Sequence, residues 1–564
     1  MSIFTDHHGL EDCLPKKTES NKLSAVYSEK LYQTIEHFWG YGSQRILLRM
    51  QVPYKEVVLS DDKTISLYDT SGIYFNNNYK LDIISMPVTR NYLDNNLSDI
   101  KPDHKTQRYY AKEGIITPEM AYVAAREDQK IKDLPDFKDW LNKKFNNKLE
   151  NKIPYNITAE FVRDEIAQGR AIIPANKNHN TLEPMIIGRG FMVKLNVNLG
   201  FGNLYNNNSQ NFSPEISPDF SPESLFDQIV FAAKSGADSV MIISDTSGFH
   251  KEEFADLVNK SPVPIGSAPI CDALEMVDGD ISKLNWDVYY QALTNHAEAG
   301  IDYIFVHANI LLDNLEKNGP GFVLSKSRSA SNGGKIMQDW TEYHQEENFL
   351  YANFDKLCDV LREYDISLVL SDAKRNNSVM DSRDNSFDIF GELTDLAWRN
   401  DVQVMVEGPG VMPMHMIHES MKALSNSCQD VPVCSFGASV TDIDPSTSGI
   451  SSMIASAMMG FNGCSMLNYS PEKNHIKVSS EEEIKRAIMN YKIASHGADI
   501  SNGNPNAWMR DYLISEAKYN LNWEDQFKLS LSHVTVCENG ENMKNNKGLD
   551  AGSTEAFKIK DCYV

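Results

Sequence analysis

The sequence predicts an α/β protein: a (βα)8 TIM barrel with an N-terminal α+β domain before it and a C-terminal helical region after it. Three observations carry that expectation. Between Phe191 and about Gly463, short apolar runs alternate with longer amphipathic stretches in a strand, loop, helix cycle. Eight of the runs read as strands: MVKLNVNL, SVMIIS, VPIGSA, YIFVHA, GFVLS, SLVLS, VQVMVE and PVCSF. A residue able to bond a polar ligand stands at or just past the end of each, in order Asn198, Asp245, Ser267, His307, Ser331, Asp372, Glu407 and Ser435. Barrels carry their chemistry at those ends. The competing class, a doubly wound sheet, calls for a glycine-rich dinucleotide loop, and GFGNLYN has Gly200 and Gly202 but no third glycine.

Taken in order, residues 1–25 are polar and flexible, with neither a basic n-region nor an apolar core, which argues against a secretory signal and for a cytoplasmic protein. Residues 26–185 form a mixed domain. Its strand-like runs are RILLRMQVPY, KEVVLS and TISLYDTSGIYF, and its clearest helix start is in GIITPEMAYVAARED, where Thr117 caps and Pro118 takes the first helical position. Residues 186–469 hold the barrel, whose crossover helices include ESLFDQIVFAAKSG, WDVYYQALTNHAEAG, NFLYANFDKLCDVLREY and DIFGELTDLAWRN. Residues 470–532 turn helical again, to dock on the barrel or reach a second subunit, and residues 533–564 are an unpatterned tail.

Composition narrows the function. A formal charge of −24 argues against nucleic acid as partner, because phosphate repels an acidic surface. No window approaches the roughly 18 apolar residues of a membrane span. The eight cysteines are scattered through mostly apolar runs, as expected of reduced, buried thiols rather than a disulfide framework. At the strand ends, Arg375 and the backbone amides of Gly333 and Gly334 suit a phosphate, while Asp372 and Glu407 suit ribose hydroxyls or an amine. The partner expected from these groups is a small phosphorylated metabolite.

The stretch EFVRDEIAQGRAIIPANKNHNTLEPMIIGRGFMVKLNVNLG resembles the signature region of the phosphomethylpyrimidine synthase (ThiC) family, radical-SAM enzymes that make the thiamine pyrimidine, and the likeness runs from near Arg45 to about residue 530. The resemblance implies that Asn198, Met241, His307, Ser331, Gly333, Asp372, Arg375 and Glu407 match positions that hold aminoimidazole ribonucleotide in the family. It also implies a homodimer.

The departures fall on the catalytic parts. Val411 stands in EGPGVMPMH where the family has a metal-binding histidine, and the second metal histidine corresponds to His475 in NYSPEKNH, leaving a weakened site for a single divalent ion. His415 and His418 read as an ordinary helix face. Cys271 and Cys434 replace two family tyrosines, Asn332 replaces an arginine, and TDIDPSTSGI loses three polar side chains of a loop at the site. The family's Cys-x2-Cys-x4-Cys motif has no counterpart here: after residue 500 there are only Cys537 and Cys562. The [4Fe-4S] cluster and S-adenosylmethionine are therefore not expected.

The resulting expectation is a repurposed, lyase-type barrel protein. Glu407, His307 and Asp372 are its acid/base candidates, and Asn198, Met241, Ser331, Gly333, Arg375, Cys271 and Cys434 line its substrate site. Cys271 and Cys434 are either nucleophiles or inert packed thiols. Two alternatives stay open: a role in thiamine-pyrimidine synthesis with the cluster supplied elsewhere, and a non-catalytic metabolite-binding pseudoenzyme or partner subunit.

Overall fold

The computed structural model describes residues 31–39, 46–68, 106–129, 143, 153–199, 222–242, 251–312, 332–371, 387–443, 449–470 and 481–530. Near the N-terminus, strands β1 (Leu31–Trp39), β2 (Ile46–Val58) and β3 (Thr64–Leu67) form an antiparallel sheet. Met50 and Val52 of β2 pack against Tyr110, Met120, Tyr122, Val123, Val162 and Ile166 of three nearby helices. The helix Pro118–Glu127 starts where expected: the Thr117 hydroxyl accepts from the Met120 amide at 3.2 Å, and Pro118 occupies the first turn, where no amide hydrogen is needed.

Two short strands, β4 (Ala171–Ile172) and β5 (Ile187–Gly188), pair with each other and lead into the barrel. Its strands are β6 (Lys194–Leu199), β7 (Ser239–Ile242), β8 (Ile265–Ser267), β9 (Tyr303–Val306), β10 (Ser367–Leu370), β11 (Val404–Glu407), β12 (Val433–Ser435) and β13 (Cys464–Tyr469). All pair in parallel and close in the order β6 to β13, with β13 against β6. The run GFVLS lies outside the described residues. The eighth strand is instead CSMLNY, in which Ser465 and Asn468 interrupt the apolar run.

Strand alternation sorts the barrel into two cores. Leu195, Val197, Val240, Ile265, Ile304, Leu368, Val404, Val433 and Leu467 face the helices, whereas Met241, Tyr303, Phe305, Val369, Met405, Cys434 and Met466 face the lumen. Ile172, Met185 and Ile187 join the lumen cluster from β4, β5 and the loop between them. That segment sits at the N-terminal ends of the strands. Gln403 exchanges two hydrogen bonds with the Ile173 backbone (2.8 and 3.0 Å), and Glu183 N–H donates to Pro262 O at 2.9 Å. His179 bonds Asp302 Oδ2 and Ser261 O, both at 2.8 Å. Both ring nitrogens of His179 thus meet acceptors. Burial opposes its charge, but Asp302 and the backbone carbonyls outweigh burial and raise its pKa. One end of the barrel is plugged by this segment, and the other is its mouth.

The helix Glu481–Ser501 docks on the barrel. Its Asp499 accepts from the Val193 amide at 2.8 Å, and its Lys492 pairs with Asp238 at 2.7 Å. Ala498 approaches Gly460 of the helix Ile450–Phe461 so closely that a Cβ there would lie 2.8 Å from the alanine methyl. The helices Pro505–Tyr519 and Trp523–Leu529 turn back to the first sheet, where Met509 and Leu529 pack with Val57, Ile65 and Leu67, and Asp525 accepts two bonds from Ser60 at 2.7 Å.

Candidate functional site at the barrel mouth

Glu407 ends β11 and has no solvent exposure. The Ser371 hydroxyl, one residue beyond β10, donates to its Oε2, and Ser371 N–H bonds Val306 O of β9 at 3.0 Å. His307 follows Val306 directly and is 3% exposed. Three neighbouring strands therefore deliver a carboxylate, a hydroxyl and an imidazole to one side of the mouth.

The fourth group on this side is the first turn of the helix Asn332–His344. A Cβ on Gly333 would lie 2.5 Å from His307 Cε1 and 3.0 Å from Ile270, so only glycine lets the imidazole lie against the helix start. Amides in that turn have no carbonyl partner within the helix and carry its positive dipole end, the usual setting for an anion.

The opposite side is built from amides. On β6, Asn196 Nδ2 donates to Asn198 Oδ1 at 3.0 Å, and Asn196 Oδ1 accepts from Ser239 (3.0 Å) and from the Tyr303 hydroxyl (2.7 Å). Tyr303 also reaches Val240 O at 2.9 Å, and burial holds its phenol well above the ordinary value, so it stays a neutral donor. Asn468 on β13 is the register partner of Asn196. Between the two walls, Met241, Phe305, Cys434 and Phe436 form an apolar floor, with the Phe305 and Phe436 rings 5.5 Å apart.

Not every strand-end residue faces inward. Ser267 points away, bonding His296 Nδ1 at 2.7 Å, while His296 Nε2 meets Asp272 Oδ2 at 2.6 Å. This buried chain ties β8 to the helix Pro269–Glu275, which carries the half-buried Cys271. Ser435 likewise lies 3.3 Å from Ser456 of an outer helix. The inward positions on these strands are Gly266 and Cys434. Asp245, Ser331, Asp372, Arg375 and His475 lie outside the described residues.

Cys434 is fully buried in the lumen cluster. Burial pushes the thiols of Cys358, Cys428 and Cys464 up to about 12, which makes them packed side chains rather than thiolates. Val411 pairs as an isolated bridge with Ser439, and His415 and His418 sit on an exposed helix face, His418 bonded to Asn462 at 2.6 Å. Among the described residues no three His, Cys, Asp or Glu side chains form a metal-binding group.

Ser371, Tyr303 and Asn468 are polar lumen groups that strand-end reasoning passed over, whereas Asn196 stands out with Asn198 at the close of its apolar run. SLVLS ends in Ser371 itself, and NVN repeats its amide at period two, so both signals were present in the sequence. Asn468 needed the eighth strand.

Residues 106–550 match the model of the Radical SAM ThiC family. Among solved structures, a Xanthomonas albilineans dihydropteroate synthase with 4-aminobenzoic acid aligns at 12% identity over 57% of this chain and 98% of that chain, with a TM-score of 0.29, too loose a likeness to bear on function. Among the described residues no helix is long and apolar enough to cross a membrane.

Proposed function

The chain belongs to the radical SAM ThiC family, and from that premise we propose that its barrel mouth binds a nucleotide-like or small phosphorylated metabolite and performs polar, lyase-type chemistry on it. The observation that carries the proposal is the fully buried Glu407 carboxylate, oriented by the Ser371 hydroxyl, whose own strand lies beside the one that leads into His307. A buried carboxylate at the end of one barrel strand and an imidazole just past the end of a strand two places away, both at the mouth, are suited to moving a proton between atoms of a ligand held between them. The first turn at Gly333, with Ser331 and Arg375, would hold the phosphate. Asp372 would share the acid/base work or take a sugar hydroxyl, and Asn198 and Met241 would bound the ligand on the far side. Cys271 and Cys434 would shape the pocket by packing.

The family's chemistry calls for an iron–sulfur cluster, and the described donor set does not fit one. Three of its five described cysteines have thiol pKa values pushed up to about 12 by burial, Cys434 belongs to the lumen's apolar lining, and Cys271 stands apart on its helix. A non-catalytic, metabolite-sensing role is the second candidate, favoured by Val411 where the family places a metal histidine.

Native mass spectrometry of the purified chain should find a phosphorylated small molecule bound. Glu407→Gln and His307→Ala should each abolish conversion of that molecule while leaving it bound. Variants that change only affinity would favour the sensor. Rescue of a thiamine-pyrimidine auxotroph by this chain alone would overturn the lyase proposal in favour of the family's own reaction. The proposed assembly is a cytoplasmic homodimer, with its mass to be read by light scattering.

A further inference from the structure

Asn468 is 5% exposed, and neither its Nδ2 nor its Oδ1 has a hydrogen-bond partner. Its direction follows from its strand. Met466, two residues earlier, lies in the lumen cluster, while Leu467 and Tyr469 lie in the outer core, so Asn468 faces the lumen on the half of β13 nearest the mouth. The amide network beside it does not include it: Asn196 gives its Nδ2 to Asn198 and its Oδ1 to Ser239 and Tyr303. A buried amide with both atoms unpaired destabilises a fold, and a leucine of similar size on the same lumen-facing position would avoid that loss. An asparagine here makes physical sense if something that enters the lumen completes it.

We propose that Asn468 is the residue that reads the ligand's base: it pairs with a planar nitrogen heterocycle whose edge offers an N–H donor next to a C=O acceptor, the lactam edge of an oxo-pyrimidine or oxo-purine. A side-chain amide matches such an edge with two parallel bonds, Nδ2 to the carbonyl and Oδ1 to the N–H. The proposal rests on the barrel mouth being the ligand site and names the ligand class for it. Asn468 and Glu407 stand on different strands of the closed barrel, with β12 between them. A heterocycle paired with Asn468 would therefore lie over the Met241 and Phe305 floor and present its remaining atoms to Glu407 and His307.

The test titrates the full chain calorimetrically with two probes that share a sugar phosphate, uridine 5′-monophosphate and ribose 5-phosphate. The wild type should bind the nucleotide about tenfold or more tightly than the sugar phosphate, the margin of one well-made pair of hydrogen bonds. Asn468→Leu should bring the two affinities together by weakening the nucleotide alone, and Asn468→Ala, which fits any packing, should do the same if leucine misfolds. A preference that survives in both variants would overturn the proposal and assign the Asn468 amide to internal water. Equal binding of both probes by the wild type would overturn it too, while leaving the barrel-mouth site standing. Binding of neither probe would overturn both.

Discussion

Asp499 offers a prediction in which three parts of the chain meet. It sits in the docking helix, 2% exposed, with one oxygen on the Val193 amide at 2.8 Å just ahead of β6. Lys194 is close but paired with Glu127 at 2.8 Å, and Lys492 is paired with Asp238 at 2.7 Å. Burial dominates, and it raises the Asp499 pKa from 3.8 to about 8. The folded chain therefore binds a proton here that the unfolded chain releases between those values. The stabilisation is complete below pH 3.8 and is lost as pH rises through about 8. At 1.36 kcal/mol per unit, stability should fall by roughly 4 kcal/mol between pH 5 and pH 8 from this group alone.

Asp499→Asn removes the titration while keeping an oxygen for the Val193 amide. Wild type and variant should be compared by urea unfolding at half-unit steps from pH 5 to pH 9. The variant's midpoint should gain on the wild type's from pH 5 to about pH 8 and level off above it, and a buried protonated-carboxyl infrared band should vanish with the substitution. Parallel midpoint curves, with no such band in the wild type, would mean that Lys194 keeps Asp499 ionised and would refute the reasoning.

Three further outcomes follow from the fold. Removing the doubly bonded imidazole with His179→Ala should destabilise the chain by about 3 kcal/mol, because Asp302 is left buried without its counter-charge; the deficit relative to wild type should be largest below pH 6.5 and shrink as pH rises through the raised folded value, read from urea midpoints. Gly266→Ala would put a methyl 2.1 Å from the Tyr303 ring, whose hydroxyl is pinned at 2.7 and 2.9 Å, so a loss of about 2 kcal/mol is expected; Gly266→Ala with Tyr303→Leu should recover part of it in thermal unfolding. In a native alkylation time course followed by peptide mass spectrometry, Cys271 should react well ahead of Cys358, Cys428, Cys434 and Cys464, and rapid labelling of Cys434 would show that the lumen floor opens.

Much of the barrel is written locally. Seven of the eight strand runs from MVKLNVNL to PVCSF, all but GFVLS, and the helix runs between them are recognisable because each keeps its own hydropathy and length, and the Thr117 and Pro118 helix start is a matter of adjacent residues. The candidate site is less legible. Glu407 and His307 stand out as polar residues closing apolar runs, but the hydroxyl that orients Glu407 lies 36 residues away, on the neighbouring strand. Ser267 and Ser435 satisfy the same strand-end rule and yet face the helices. Buried parallel strands are apolar on both faces, so their sequence does not announce which residues point to the lumen.

What the sequence alone determined is the class: an alternating α/β chain with a barrel and polar residues at its strand ends, because hydrophobic periodicity reports secondary structure directly. The tertiary structure decided which end of the barrel is plugged, that CSMLNY rather than GFVLS is among the eight described strands, and that Asn468 and Asp499 are buried in settings their neighbours in sequence do not foretell. Those facts depend on barrel closure and on contacts between residues hundreds of positions apart. Local pattern carries no information about which distant surface a side chain will meet.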